Sequence, residues 1–463
     1  MGNARTALFN WLFARHTGGT FVVRIEDTDA ERSRTESADA ILTAMSWLGM
    51  EPDEGPYRQS DRGDRYNEVI EQLWSDGYLY ACDCTRDEVF ARTHDQATPG
   101  YDGHCRDRGL ARSERTALRF RTPDQGSTVV HDLIRGDVEF PHQAMEDFVC
   151  VKSTGQPLFV LANTVDDRDS AISHVIRGED LLPTTPKGLL VWGALDGDDP
   201  VALPVFAHLP MLVNEQRKKL SKRRDPVAVE SFRDQGYLAA AFRNYLALLG
   251  WSPPGAQEKV DLETLVREFR LEDVHHGPAF FDVKKLTHMN GEYIRALSHE
   301  EFVRLSAPWV RPWSTSWRPS DREPPWSEEQ FSAATYERIA PFIQERVATF
   351  GEIPAMVEFF FLEEPRFDDA SFAKVITNDP LGRVVLEGTV EAFERLSTWE
   401  SALLHETVAA IGDANGLALR KAQAPIRCAV TGTLVGPPLF ESLEVLGRKT
   451  TIQRLRDALA RAA

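Results

Sequence analysis

Twice in the first half of this chain, a short run rich in β-branched residues passes straight into a cluster of charged side chains. Thr20-Phe21-Val22-Val23-Arg24-Ile25 leads into Glu26-Asp27-Thr28-Asp29. Ser173-His174-Val175-Ile176 leads into Arg177-Gly178-Glu179-Asp180, and Pro204-Val205-Phe206-Ala207-His208 leads toward a strongly basic loop. Such runs predict strands, and the stretches between them carry apolar residues at helical spacing. Strands alternating with helices predict an α/β fold. In open α/β sheets, ligands bind beyond the carboxyl ends of the strands. An acidic turn capping the next helix explains Asp29 but not three carboxylates within four residues.

The helices can be placed in turn. Ala4 to His16 carries Leu8, Trp11 and Leu12 on one stripe and ends at Gly18-Gly19. Thr35 to Leu48 places Ile41, Leu42, Met45 and Leu48 together and ends at Gly49. A loop around Tyr57-Arg58-Gln59-Ser60 precedes a helix with Val69, Ile70, Leu73 and Trp74, and Tyr78 to Ala81 reads as a strand. The α/β pattern resumes with Leu158 to Ala162, read as a strand, followed by Asn163 and then the strand ending at Ile176. A doubly wound sheet ordinarily begins with a strand, yet this chain begins in a helix.

Between these halves, residues 82–155 read as an inserted module of charged helix pieces and short strands such as Ala117 to Arg121. Cys82-Asp83-Cys84 and the later Cys105 fit a structural zinc site, because zinc prefers four tetrahedral ligands rich in thiolate. Tyr101, His104 and Asp107 all stand as candidates for the fourth ligand. Reduced, buried cysteines are the plainer alternative, since Cys-x-Cys is weaker evidence than paired Cys-x-x-Cys.

After Asp225 the chain turns helical, with Leu238 to Leu249 strongly apolar and Glu328 onward entirely helical in pattern. Between Pro308 and Trp326, four further prolines interleave with three tryptophans, which predicts a surface loop or linker.

Charge bears on what the basic loop is for. Six of the eight residues from Arg217 to Arg224 are basic, in a chain of net charge −18. The acidic body excludes indiscriminate nucleic-acid binding, since phosphate affinity comes from local Lys and Arg. The loop alone is either a solvated basic patch or a phosphate clamp, two ammonium groups flanking the Ser221 hydroxyl. An odd cysteine count of five argues against a disulfide framework. The start lacks a secretory signal layout, and no apolar run approaches the ~18 residues of a membrane span. These features predict a cytoplasmic enzyme of about three domains, on a scale of roughly 150 residues each.

Taken in order, the motifs resemble those of the bacterial glutamyl-tRNA synthetases, which are class I aminoacyl-tRNA synthetases. The resemblance rests on Gly2-Asn3-Ala4-Arg5, Arg24 to Asp29, Tyr57 to Ser60, Ile176 to Asp180 and Lys219 to Arg223. It continues through Leu249 to Ser252, Met289 to Tyr293 and Ala424 to Arg427. It implies a Rossmann-like catalytic domain in two halves (1–81 and 156–225) around an acceptor-binding module at 82–155. A stem-contact domain (226–305) and an all-α anticodon-binding domain (306–463) would follow.

The implied reaction activates glutamate with ATP and transfers it to tRNA(Glu), with Mg²⁺ accompanying the ATP and zinc as a structural ion. Lys219 and Lys222 would stabilise departing pyrophosphate, with Ser221 as a hydrogen-bonding partner. Gly2, Asp180 and Lys222 would line the ATP site. Glu26 would hold the substrate ammonium and Arg177 its side-chain carboxylate, with Phe159 and Asn163 lining the pocket. Cys82, Cys84, Tyr101 and Cys105 make the implied zinc set. A monomer with no membrane partner is expected.

Three departures qualify the resemblance. The family opens with a strand, a Pro-Ser-Pro-Thr-Gly turn and a His, and none is present here. That predicts an upstream start for the native protein and weak adenylate formation by the 463-residue form. Phe159 stands where the family commonly has Tyr, removing one hydroxyl. The tryptophan- and proline-rich stretch has no counterpart in the family pattern. Two alternatives stay open: a glutaminyl-tRNA synthetase, which typically carries a β-barrel anticodon domain, and a non-catalytic tRNA-binding remnant.

Overall fold

The computed structural model describes residues 1–28, 35–95, 100–196, 201–220, 228–320 and 323–462. The chain divides into two compact units. The first is Met1–Val229 with Phe242–Asp282, and the second is Glu230–Ala241 with Val283–Ala463.

The first unit opens with helix α1 (Gly2–Thr17), which buries Leu8, Phe9, Trp11 and Leu12 and stops at Gly18. Gly18 adopts the left-handed conformation (φ 68°) and donates its N–H back to Ala14. Strand β1 (Val22–Ile25) follows, then α2 (Thr35–Trp47) and β2 (Glu54–Arg58), which pairs parallel with β1. The segment expected to be a loop thus contains a strand. Its neighbour β1 supplies the ladder partners that a Pro-containing, largely exposed segment could not signal alone.

Helix α3 (Gly63–Ser75) leads to β3 (Leu79–Cys82) and α4 (Arg86–Thr93). Strands β4 (Ala117–Phe120), β5 (Ser127–Asp132), β6 (Gly136–Pro141) and β7 (Val149–Val151) come next. They do not form one body: β3, β4 and β7 make an antiparallel sheet, while the β5–β6 hairpin joins a second sheet.

That second sheet is completed by β8 (His174–Gly178) and β9 (Val205–Leu209), in the order β6-β5-β9-β8. β8 runs parallel to β9 with Arg177 opposite His208, and β5 runs parallel to β9 with Asp132 opposite Phe206. Between the halves, α5 (Phe159–Asp169) replaces the strand expected at Leu158 to Ala162. Leu161, Ala162 and Val165 are buried at helical spacing, and a five-residue apolar run does not itself distinguish the two periods. Helix α6 (Thr185–Ala194) links β8 to β9. Tyr66, Val69, Ile70 and Leu73 of α3 share a core with Leu161 and Val165 of α5 and Val191 of α6. Each fully buried side chain of this kind contributes about 1.5–3 kcal/mol.

In the second unit, every regular element among the described residues is helical. From Arg311 on, the described part of the Trp/Pro stretch is the irregular surface segment expected, with Trp313 and Arg318 exposed, but the stretch starts inside a helix and buries two indoles. The helix His299–Val310 continues through Pro308, and Trp309 and Trp326 are buried. Trp309 packs edge-on to Trp317 and donates to the Asp234 carbonyl at 3.1 Å, while Trp326 donates to the Val310 carbonyl at 2.9 Å. Large indoles gain from burial, and each of these two N–H groups has a carbonyl partner. No described helix is long and apolar enough to cross a membrane.

Candidate active site

Strand β1 ends at Ile25 and presents Glu26 as an exposed carboxylate. Asn163, on α5, donates its amide nitrogen to Glu26 Oε1 at 2.7 Å. Its own Oδ1 accepts from Gln59 Nε2 at 2.7 Å, and the same nitrogen donates to Asp166 Oδ2 at 2.8 Å. Asp166 is buried yet forms an ion pair with Arg62 at 2.7 Å and accepts from the Tyr66 hydroxyl at 2.9 Å. Buried charge is tolerable only when paired in this way. A continuous polar chain therefore runs from Arg62 through Asp166, Gln59 and Asn163 to Glu26.

Glu26 and Asp27, the two described carboxylates after β1, divide by role. Asp27 accepts from the Ser60 backbone and hydroxyl, both at 2.9 Å, and from Arg58 at 3.2 Å. Burial pushes its pKa up, but these hydrogen bonds outweigh that and hold it below the usual value. Asp27 ties the end of β1 to the end of β2, a structural task. Asp29 lies outside the described residues.

Arg177, near the end of β8, donates through Nη2 to Thr185 Oγ1 at 2.8 Å and through Nε to His208 Nε2 at 3.3 Å. Burial lowers its pKa, and the negative charges of Asp167, Glu26 and Asp180 oppose that. Arg177, Asn163 and Phe159 line one cleft, together with Asp167, Thr185 and Trp192. Three of the four expected substrate-binding residues are thus together, and Glu26 joins them through Asn163.

The phosphate side is less complete. Lys219 pairs with Asp180 at 2.9 Å, both half-exposed. Gly2 is exposed at the start of α1, and a Cβ there would meet nothing within 4 Å. Ser221 and Lys222 lie outside the described residues.

In the module, the sulfurs of Cys82, Cys84 and Cys105 lie within 4.8 Å of one another, and Cys84 Sγ is 3.5 Å from Cys105 Sγ. A tetrahedral zinc with Zn–S bonds of ~2.3 Å needs sulfurs about 3.8 Å apart, so the set fits. The Tyr101 hydroxyl accepts from the Cys105 backbone at 2.7 Å, which puts it beside the sulfurs. Asp107 pairs instead with Arg121 at 3.0 Å, and the cluster among the described His, Cys, Asp and Glu residues does not include His104. Arg119, Arg92 and Arg108 each donate to one sulfur at 3.3 Å, on Cys82, Cys84 and Cys105 in that order.

Reasoning from sequence missed Gln59, Asp132, Asp166, Thr185 and His208 as parts of this site. One signal was available: His208 is a polar residue closing the otherwise apolar strand Val205–Leu209.

Parallel strands ending around one cleft, Lys219 paired with Asp180 just past β8 and a helical second unit together have the layout of a class I aminoacyl-tRNA synthetase. Residues 1–288 match the family "tRNA synthetases class I (E and Q), catalytic domain", and 301–459 match "Anticodon binding domain". The chain is 50% identical to a glutamate–tRNA ligase of Frankia casuarinae, covering 100% of this chain and 95% of that protein. It is 49% identical to one of Salinispora arenicola, covering 100% and 96%. A crystal structure of a glutamate tRNA ligase from Elizabethkingia meningosepticum in complex with its amino acid aligns with TM-score 0.80 at 29% identity, covering 100% of this chain and 97% of that one. The chain belongs to the glutamate–tRNA ligase family.

Proposed function

We infer that this chain joins glutamate to tRNA(Glu) at the expense of ATP. The observation carrying this reading is whole-length identity near 50% to glutamate–tRNA ligases, combined with a cleft that gathers Phe159, Asn163 and Arg177. In the first step a glutamate carboxylate oxygen attacks the α-phosphorus of ATP. The P–O bond to pyrophosphate breaks and the electron pair leaves with it. In the second, a terminal ribose hydroxyl of tRNA attacks the mixed anhydride and AMP departs. Neither step uses a protein nucleophile, so positioning and charge stabilisation supply the rate.

Arg177 receives the substrate side-chain carboxylate through its planar fork, which Lys cannot reproduce. Glu26 receives the ammonium, oriented by Asn163, and Phe159 closes the pocket wall. Gly2 and Asp180 line the nucleotide site. Lys219 and Lys222, with Ser221, meet the charge that builds on the leaving pyrophosphate. Mg²⁺ comes with ATP, held mainly by the phosphates. Cys82, Cys84 and Cys105, with Tyr101 as the fourth donor, hold a structural zinc that braces the acceptor-binding module. The helical residues 306–463 bind the anticodon, and the protein works in the cytoplasm.

Glutamate-dependent ATP–pyrophosphate exchange and charging of purified tRNA test this reading. Charging with glutamate and not glutamine supports it, and charging with glutamine alone overturns it in favour of the glutaminyl alternative. Tight tRNA binding with no exchange at all would instead identify a non-catalytic remnant.

A further inference from the structure

We propose that His208 is a positioning residue that decides which edge of the Arg177 guanidinium is offered to the substrate carboxylate. This rests on the reading of Arg177 above and goes one layer behind it. His208 is fully buried at the end of β9, opposite Arg177 in the parallel ladder.

The relay begins at Asp132, at the end of β5. Its carboxylate accepts from the backbone N–H groups of Ile134 at 2.9 Å, Arg135 at 2.8 Å and His208 at 3.0 Å. Its Oδ2 also lies 2.6 Å from His208 Nδ1. An ionised carboxylate only accepts, so Nδ1 carries the hydrogen, and Nε2 is the lone-pair acceptor because the Arg177 Nε–H donates to it.

That lone pair faces Thr185 Oγ1 at 3.0 Å and Arg177 Nε at 3.3 Å. Thr185 gives its hydroxyl hydrogen to His208 and accepts from Arg177 Nη2 at 2.8 Å. The Nε–Nη2 edge of Arg177 is thereby engaged. What remains for a ligand is the Nη1–Nη2 end, a fork suited to a carboxylate. The opposite tautomer would point a hydrogen at the guanidinium and break the arrangement.

The experiment compares Thr185→Val, His208→Leu, His208→Gln and Arg177→Ala with the parent chain. Glutamate affinity is read by calorimetry, and KM for glutamate and for ATP by pyrophosphate exchange with tRNA present. Thr185→Val and His208→Leu should weaken glutamate about tenfold, the loss expected for one hydrogen bond to a charged group, with KM for ATP unchanged. His208→Gln, which can place an amide oxygen near the position of Nε2, should recover most of that loss. If Arg177→Ala leaves glutamate affinity intact, the reading of Arg177 itself fails. If Arg177→Ala weakens glutamate but Thr185→Val and His208→Leu do not, the relay alone fails. A His208→Leu variant that loses affinity for ATP and glutamate equally, without rescue by His208→Gln, would make His208 merely structural and overturn the proposal.

Discussion

Asn163 cannot turn its amide over, because Gln59 donates to its oxygen at 2.7 Å while its nitrogen donates to Glu26 at 2.7 Å. The direction of both bonds is set by Asp166, which claims the second hydrogen of the Gln59 amide. Asn163→Asp would bring a second carboxylate against Glu26. KM for glutamate should rise more than about tenfold, since like charges at hydrogen-bond distance are unfavourable by over a kcal/mol. Gln59→Leu should cost stability instead, about 1–3 kcal/mol for leaving buried acceptors unpaired. Steady-state kinetics and denaturant unfolding separate the two effects.

The Lys219–Asp180 pair makes the opposite case, a contact whose stability value is small. Both groups are about half exposed, and such pairs contribute roughly 0–1 kcal/mol. Asp180→Asn should leave the thermal midpoint unchanged. Lys219→Ala should slow pyrophosphate exchange by about 10²–10³, the usual loss on removing one group that meets developing charge. A Lys219→Ala enzyme with normal exchange would remove that lysine from the catalytic step.

What could be read from the sequence follows from where the physics is local. The ends of β1 and β8 are visible because β-branched runs stop at charged residues, which singles out Glu26 and Arg177. The start of α5 was misread because Phe159 faces the cleft while Leu161 and Ala162 face the core, so a short apolar run carried no period. The prolines around Trp309 and Trp326 point to a surface loop, yet the burial of both indoles depends on partners distant in sequence, such as Phe350 and Phe361. Gln59, Thr185 and Asp132 escaped notice for the same reason. Each matters only through a residue brought beside it by the fold.

The cysteine cluster predicts a metal content. Elemental analysis of the purified chain should find one zinc per molecule, and Cys105→Ser should abolish it. Chelation should lower the melting temperature, because structural zinc contributes folding free energy directly. Three arginines already donate to the sulfurs, so the cluster keeps hydrogen-bond partners when zinc is removed. The loss on chelation should then be local to the module rather than global, as seen by protease susceptibility near Tyr101.

Acid should act on the active-site relay through Asp132. Burial pushes its pKa up, but hydrogen bonds from His208 and the backbone of Arg135 and Ile134 outweigh that and bring it below its ordinary 3.8. A carboxylate depressed by folding contributes stability that is fully present above the unfolded value and is lost as pH falls through the folded one. Asp132→Asn should therefore flatten the decline in stability below about pH 4, while lowering stability near neutrality. Parallel unfolding curves for parent and variant across that range would contradict the assignment.

Gly432 offers a sharp test of packing in the helical unit. It ends the helix Leu419–Thr431 in the left-handed conformation at φ 81° and donates to the Cys428 carbonyl at 2.9 Å. Its own carbonyl accepts from the Asp368 backbone N–H at 2.9 Å, which holds the irregular segment Arg366–Asp368 close by. A Cβ at Gly432 would lie 2.0 Å from the Arg366 carbonyl oxygen. Backbone cannot swing aside as a side chain can, so Gly432→Ala adds a clash to the conformational cost. Gly416 supplies the control: its φ is also positive, at 68°, but a Cβ there meets nothing within 4 Å. Gly416→Ala should cost only the left-handed penalty of about 1–2 kcal/mol, and Gly432→Ala about 1–3 kcal/mol more from overpacking. Denaturant unfolding of the two variants measures the difference, and equal losses would mean that the close approach of Arg366 to Gly432 is not what selects glycine there.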